Sequence, residues 1–483
     1  MSRRPLHILM VFVCNASLFA QSLTYPIVDT DVAEFYGDNE LIAAPSPGDP
    51  FYGQDATYMG NSPSYTDPGD GTIIDEVSGL TWQKNMGQKI TYTEASIKAD
   101  TLTLGGFDDW RVPTIKELYS LILFTGRVSG ASAIDLFIDT RYFDQALGDP
   151  DLGEREIDAQ TWSSTQYAGL TMNGDSTVFG VNFVDGRIKG YPKYNPGSNN
   201  SIPRSMYFRM VRGNPDYGKN DFEDHSNGTI SDHATGLMWQ QSDDGQMRDW
   251  ESALSYAENL EWGGYDDWRL PNAKELQSIL DYTRSPQSSG SPAIHAHFGC
   301  TEILDPDGNS GQYPYFWTST THQDGPNPYS SAVYIAFGEA QGKMNGQLMD
   351  VHGAGTQRSD PKSGELSDYP QFFGPQGDVR YVFNAVRCVR DISQIGVTSG
   401  INTPGNSLFV YPNPTKDLCM IQTPGDVLPY EWKLFDSSGR MLQSVSRPFV
   451  NNIAIDLSKH NQGVFYICLV FEKESSTLKI IKQ

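Results

Sequence analysis

Several groups of residues in this chain have the types and spacing that chemistry needs. Paired carboxylates occur twice, as Asp108-Asp109 and Asp266-Asp267, each after Gly-Gly-aromatic and before Trp-Arg-x-Pro. Adjacent carboxylates suit general acid–base work. Beside two glycines, the better reading is a tight turn in which one Asp accepts backbone N–H bonds, with Arg111 and Arg269 paired to a neighbouring acid or carbonyl. Asp305, Asp307 and Asn309 alternate oxygen donors around Gly308, which suits a hard cation such as Ca²⁺. The terminal Glu of an EF-hand loop is missing, so an Asp-rich surface turn competes with a Ca²⁺ site, and no other cofactor is expected. His295, His297, His322 and His352 lack an HExxH spacing and read as solvated loop residues. Residues 350–362 form the best ligand candidate. His352, Gln357, Arg358, Asp360 and Lys362 offer donors and acceptors on a Gly-rich segment. The competing reading is a structural loop braced by contacts of the Arg358–Asp360 kind.

These groups sit in a duplicated framework. Gly71-Thr72-Ile73 through Trp82-Gln83 recurs as Gly228-Thr229-Ile230 through Trp239-Gln240. The Gly105–Pro113 run recurs at Gly263–Pro271, Trp162-Ser163-Ser164-Thr165 at Trp317-Thr318-Ser319-Thr320, and Arg209-Met210-Val211-Arg212 at Arg387-Cys388-Val389-Arg390. So long a period means two tandem domains, not a solenoid. Each copy predicts a hairpin, a helix, the Gly-Gly turn and a second helix. Trp250, Ala253, Leu254, Ala257 and Leu260 recur at helical spacing behind Asp249 as N-cap. Thr114…Glu117 and Asn272…Glu275 fit capping boxes. Strands are expected at 178–183, 333–337, 208–211 and 383–389. The paired tryptophans Trp82/Trp239, Trp110/Trp268 and Trp162/Trp317 define the framework in both copies and read as core rather than as sugar platforms.

The Gly-Leu-x-Trp-Gln start, the Gly-Gly-x-Asp-Asp-Trp-Arg-x-Pro-x-x-x-Glu-Leu centre, the Trp-(Ser/Thr)-Ser-Thr strand and the closing Val-Arg-Cys-Val-Arg resemble the family named for the Legionella collagen-like protein C-terminal domain. Copies span about 67–215 and 222–392, preceded by a lead-in at 21–66 expected to pack on copy one. The resemblance implies an α+β, C-type-lectin-like fold and no established enzymatic activity. After a linker at 393–406, residues 407–483 alternate as a small antiparallel β-sandwich. The Tyr-Pro-Asn-Pro start, the Leu-Phe-Asp-x-x-Gly-Arg centre and the Lys-bearing end (Lys479, Lys482) are similar to the C-terminal sorting domain of the type IX secretion system. That resemblance implies a member of the Bacteroidota, partnership with the secretion machinery, and an extracellular or outer-membrane-surface location.

Residues 1–20 read as a signal peptide, with Arg3 and Arg4 before an apolar run ending at Ala20. No other stretch is long and apolar enough to span a membrane. Outside this leader lie Cys300, Cys388, Cys419 and Cys468, an even number in an exported chain. Bridges closed within each domain would be Cys300–Cys388 and Cys419–Cys468, and four buried thiols are the alternative. The chain has 483 residues, 12% aromatic and 19% charged, with 46 Gly and 29 Pro. This composition excludes disorder, coiled coil and helical bundle. A net charge of −24 opposes nucleic acid, and it opposes strongly sulphated glycans unless Ca²⁺ or a local Arg/Lys patch intervenes. The expected function is non-enzymatic binding or adhesion to glycan or matrix ligands. Copy two would carry the activity if only one copy does. An extracellular carbohydrate-active enzyme using the clustered carboxylates, and a structural display spacer, are the alternatives.

Overall fold

The Gly-Thr-Ile hairpins form where the sequence puts them. The computed structural model describes residues 23–129, 133–172, 174–195, 198 and 201–392. In the tail it describes 409–411, 415, 418–422, 429, 431–436, 440–446, 452–471 and 475–482. The expected leader (1–20) and linker (393–406) lie outside the described residues. Copy one contains β1 (Thr72–Asp75), β2 (Leu80–Gln83), α1 (Tyr92–Thr101), α2 (Ile115–Tyr119), β3 (Thr161–Gln166), β4 (Thr177–Asn182), β5 (Arg187–Pro192) and β6 (Val211–Gly213). Copy two repeats them as β7 (Thr229–Asp232), β8 (Leu237–Gln240), α3 (Trp250–Glu258), α4 (Ala273–Ser278), β9 (Tyr315–Thr321), β10 (Ser331–Ala336), β11 (Gln357–Pro361) and β12 (Val389–Asp391). The chain is mostly β, with antiparallel sheets and short helices between them.

The local signals work as chemistry requires. Thr114 and Glu117 cap α2 reciprocally, and Asn272 and Glu275 do the same for α4. Each capping Glu also takes the Arg of the Trp-Arg-x-Pro run: Arg269 forks onto Glu275 with two 2.7 Å bonds, and Arg111 onto Glu117. The closing strands start later than the sequence suggests, at Val211 and Val389, because the preceding Arg209 and Arg387 turn fully inward. Arg209 donates to the carbonyls of Gln83 and Asp144, and Arg387 to those of Gln240 and Gly299. The second Arg of each closing motif pairs with the turn aspartate, Arg212 with Asp109 and Arg390 with Asp267, and stacks on Phe107 or Tyr265. The tight Gly-Gly turns form, closed between Leu104 and Phe107 and between Trp262 and Tyr265, but the carboxylates of Asp109 and Asp267 take arginines as their side-chain partners. All six paired tryptophans are core, at most 4% exposed.

The two copies do not stand apart. Residues Ser22–Ile392 form one compact unit. A single six-stranded sheet runs β9-β10-β11-β5-β4-β3, half from each copy, joined where β5 pairs antiparallel with β11 at Ile188 and Gln357. One hydrophobic core, including Ile115, Leu118, Ile188, Leu276, Ile279 and Ile335, continues through both copies on the α2/α4 side. Across it two lysines, buried Lys274 and half-buried Lys116, reach into each other's copy. Lys116 Nζ donates to Ser278 O (2.6 Å) at the end of α4, and Lys274 Nζ donates to Ser120 O (2.9 Å) at the end of α2. Burial lowers both amines to about 8.

The lead-in packs on copy one, where Tyr65–Thr66 pairs with β1 and Phe124 N donates to Thr30 O, and it also reaches well into copy two. Asp29 O accepts from Lys274 Nζ, Gly37 O from Lys362 Nζ, and Tyr58 donates to Glu258. The Asp55 carboxylate accepts from the Thr30 and Thr320 hydroxyls. The tail is a separate unit of two antiparallel sheets. Phe409–Tyr411, Leu418–Gln422 and Asn452–Asp456 form one. Met441–Ser446, Glu431–Asp436, Gly463–Val470 and Ser475–Lys482 form the other. Cys419, Ile421, Leu434, Ile455 and Ile467 lie in the core between them.

Two measurements check these joints. Lys274→Met leaves Asp29 O and Ser120 O without their donor, and should lower unfolding free energy by about 1–3 kcal/mol in urea titration. Burial raises the Asp55 carboxyl to about 7. The folded state therefore holds a proton that the unfolded state has lost, and stability falls as pH rises from about 4 through 7. Asp55→Asn should remove part of that fall. It should melt on the order of 2 °C above wild type at pH 8, with the gap closing by pH 5 in scanning calorimetry.

Candidate functional site

Side chains on a strand alternate between its faces, and the two faces of the shared sheet differ. The Ile188 face carries α2 and α4. The other face carries two side cores, Trp162 and Val178 with α1, and Trp317 and Tyr334 with α3. Between those side cores a cavity of ≈ 1360 Å³ opens at the seam. Its floor is Arg187, Lys189 and Tyr191 of β5 beside Arg358 of β11. One wall is copy-one backbone at residues 153–160 and 203–206. The opposite wall is an insertion unique to copy two, bringing Met344, Phe373 and Asp378. This insertion consists of the hairpin Gln341–Met344/Gln347–Asp350 and the short strands Phe372–Phe373 and Asp378–Val379, in one four-stranded sheet. The seam is tight: Gly190 N donates to His352 O (2.8 Å), and a Cβ at Gly190 would meet that oxygen at 2.5 Å.

The charges on this floor divide into satisfied and unsatisfied. Arg187 pairs with Asp185 and Asp324. Arg358 pairs with Asp378, whose other oxygen lies 2.8 Å from His352 Nε2. Although burial raises it, the Asp378 carboxyl is held far below the usual range by Arg358 and His352. Burial lowers His352 to about 4, so its imidazole is neutral. At the rim Lys89 pairs with Glu154 and Arg155 with Asp158. Lys189, Arg204 and the Tyr191 hydroxyl make no hydrogen bond or ion pair among the described residues. Burial, then the charge of Arg358, lowers the Lys189 amine to about 8. Phe373, half-exposed, has one face backed by the Arg380 guanidinium at 4.1 Å and lines the cavity.

The sequence candidates fare unevenly. Residues 357–361 are a central strand rather than an exposed loop. His352 and Arg358 line the cavity, but Gln357 points to the helix side and is fully buried. Asp360 is buried and accepts from Tyr381 N and Asn384 Nδ2. Lys362 is buried over the Trp250 ring. His322 and His352 are buried, not solvated; His322 Nε2 lies 2.9 Å from Asp185 O and Nδ1 2.8 Å from Ser359 Oγ. Asp305 accepts from Asp307 N and from Asn309 N and Nδ2, and Asp307 pairs with Lys343, so these oxygens brace a turn. Among the described residues no three His, Cys, Asp or Glu side chains gather to hold a metal ion. Arg187, Lys189, Tyr191, Arg204 and Phe373 were missed. The period-two spacing of Arg187, Lys189 and Tyr191 was the available signal.

The four cysteines are free thiols, not two bridges. Cys388 faces the α3 side core, while Cys300 packs at the edge of the shared core. Arg387 reaches the Cys300 segment, donating to Gly299 O, while Cys388 beside it lies in the other core, which keeps the sulfurs apart. In the tail Cys419 faces the sandwich core, and Cys468 lies on the outward row between buried Ile467 and Leu469.

The Lcl C-terminal domain family matches residues 71–211 and 228–352. The secretion system C-terminal sorting domain family matches residues 409–483. No curated protein matches the chain. Burial pushes the Cys300 and Cys388 thiols up, and Cys419 to about 11. Ellman's reagent should therefore find four thiols in unreduced, denatured protein lacking the leader. In the native protein only Cys468 should react promptly, and a count of zero in denaturant would restore the bridges.

Proposed function

The chain belongs to the Lcl C-terminal domain family, with two copies ahead of a secretion sorting tail, and on that premise we propose a non-enzymatic surface binding protein that takes a glycan into the cavity between its copies. The sorting tail indicates export to the cell surface or extracellular space and engagement of the type IX secretion machinery. Among the described residues no helix is long and apolar enough to cross a membrane. The observation that carries the binding reading is the cavity floor, where Lys189, Arg204 and the Tyr191 hydroxyl stand unpartnered beside the Phe373 face. Donors fixed around an aromatic face are what a sugar ring uses, hydroxyls on the donors and C–H groups on the ring. Adhesion follows if the ligand is a cell or matrix glycan.

A binding role, rather than turnover, is supported by Asp109 and Asp267, which are held in bidentate pairs with arginines on exposed turns. Both copies build the cavity, so the reading departs from a site confined to copy two.

The test is a glycan array probed with the full secreted chain, with and without chelator, beside a hydrolase screen. Binding should be saturable, insensitive to chelator, and weakened about tenfold by Phe373→Ala, in line with loss of a single stacking contact. Product release from any bound glycan, or binding untouched by changes in the cavity, would overturn the reading.

A further inference from the structure

Internal symmetry lets one half of the cavity be compared with the other. Ile188 and Gln357 pair across the seam and are equivalent residues of the two copies, so the pseudo-two-fold axis passes between them. The registers agree: Gly180 faces Lys189 in copy one as Tyr334 faces Arg358 in copy two. Lys189 and Arg358 are therefore the same position, both turned to the cavity side. Arg358 has a counter-ion, the carboxylate of Asp378, delivered by the copy-two insertion. Asp378 follows β11, and the equivalent copy-one segment between β5 and β6, residues 193–210, contains no Asp or Glu, so nothing there delivers a carboxylate to Lys189.

The charge balance agrees with the symmetry. Once the ion pairs of Arg187, Arg358, Lys89 and Arg155 are set aside, Lys189 and Arg204 face a single unpaired lining carboxylate, Asp175. Among the unpaired lining groups that leaves one positive charge in excess, inside a chain of net charge −24, while Arg187's second aspartate, Asp324, brings the wider surroundings to neutral. One charge suits a monoanion. A polysulphated chain would meet Asp158, Asp185 and Asp378 on the same walls.

Resting on the binding reading, we propose that the ligand is a carboxylated sugar whose carboxylate pairs with Lys189 as Asp378 pairs with Arg358, with Arg204 as a second donor and Phe373 beneath the ring. Binding then has a pH signature. Lys189 is faced by Arg187 on its own strand, Arg358 across the seam, and Asp185 and Asp378 on the adjoining turns. A bound carboxylate raises the pH at which the amine discharges, so affinity falls as pH climbs above about 8.

The experiment uses the full secreted chain and four probe sets: uronate- and sialate-bearing oligosaccharides, their methyl esters, sulphated oligosaccharides without carboxylates, and neutral ones. Carboxylated probes should bind and their esters should not. Lys189→Met and Arg204→Met should each weaken binding about 10- to 100-fold, while Lys189→Arg keeps most of it. Lys189→Met removes a desolvated, unpaired cation, so its melting temperature should rise rather than fall, a result that a structural role for Lys189 does not allow. If only neutral or sulphated probes bind, and Phe373→Ala weakens them, the carboxylate assignment fails while the cavity reading stands. If no probe binds, or if binding ignores Lys189, Arg204 and Phe373 alike, both fail.

Discussion

The antiparallel pairing of β5 with β11 is the constraint from which the rest of the Ser22–Ile392 unit follows. Each copy alone would end its three-stranded sheet in an open edge, a template for unwanted pairing. Pairing the edges of two equivalent copies closes both at once, and it forces an isologous interface of the kind seen in symmetric dimers. Like must then meet like. The α2 and α4 helices meet, and their lysines reach into each other's C-terminal turns. On the opposite face the same rule brings Arg187, Lys189 and Arg358 together at the seam. Repulsion among three cations needs carboxylates to offset it, and Asp185, Asp324 and Asp378 supply them. A fused duplication can change one half without the other. Here copy two gained an insertion that neutralises its own cation and walls the cavity over its neighbour's.

What the sequence revealed were features whose physics is local. Caps at Thr114 and Asn272 are decided within four residues, and helix α3 by its own apolar spacing. The tryptophan pairs were legible as core because they recur within framework motifs. The closing Arg motif was visible as a pattern, but its roles were not: one Arg caps carbonyls over a hundred residues away, and the other holds a turn aspartate.

Residues 350–362 misled because glycines and polar side chains look like surface. Apart from the buried Gln357 Oε1, the polar groups there are met by backbone or side chains that sequence cannot place nearby, such as Gly37 O for Lys362. The cysteines misled for a related reason. An even count says nothing of where each sulfur points: Cys300 and Cys388 sit in different cores, and alternation puts Cys419 inward and Cys468 outward on their strands. The cavity itself was beyond reach, because its floor is shared by the two copies and each supplies one wall. A chain of net charge −24 can still hold a cationic pocket, since a buried group feels its immediate neighbours more than the distant surface.

The lead-in carries a consequence for how the chain is made. Its anchoring partners, Glu258, Lys274, Thr320 and Lys362, lie two hundred to more than three hundred positions downstream. Its bonds to copy one, such as Tyr65–Thr66 on β1, can form early, but these others wait until the second copy has taken shape. Such distant contacts are slow to form. The lead-in thus ties the first copy to the second, and its full set of bonds needs both.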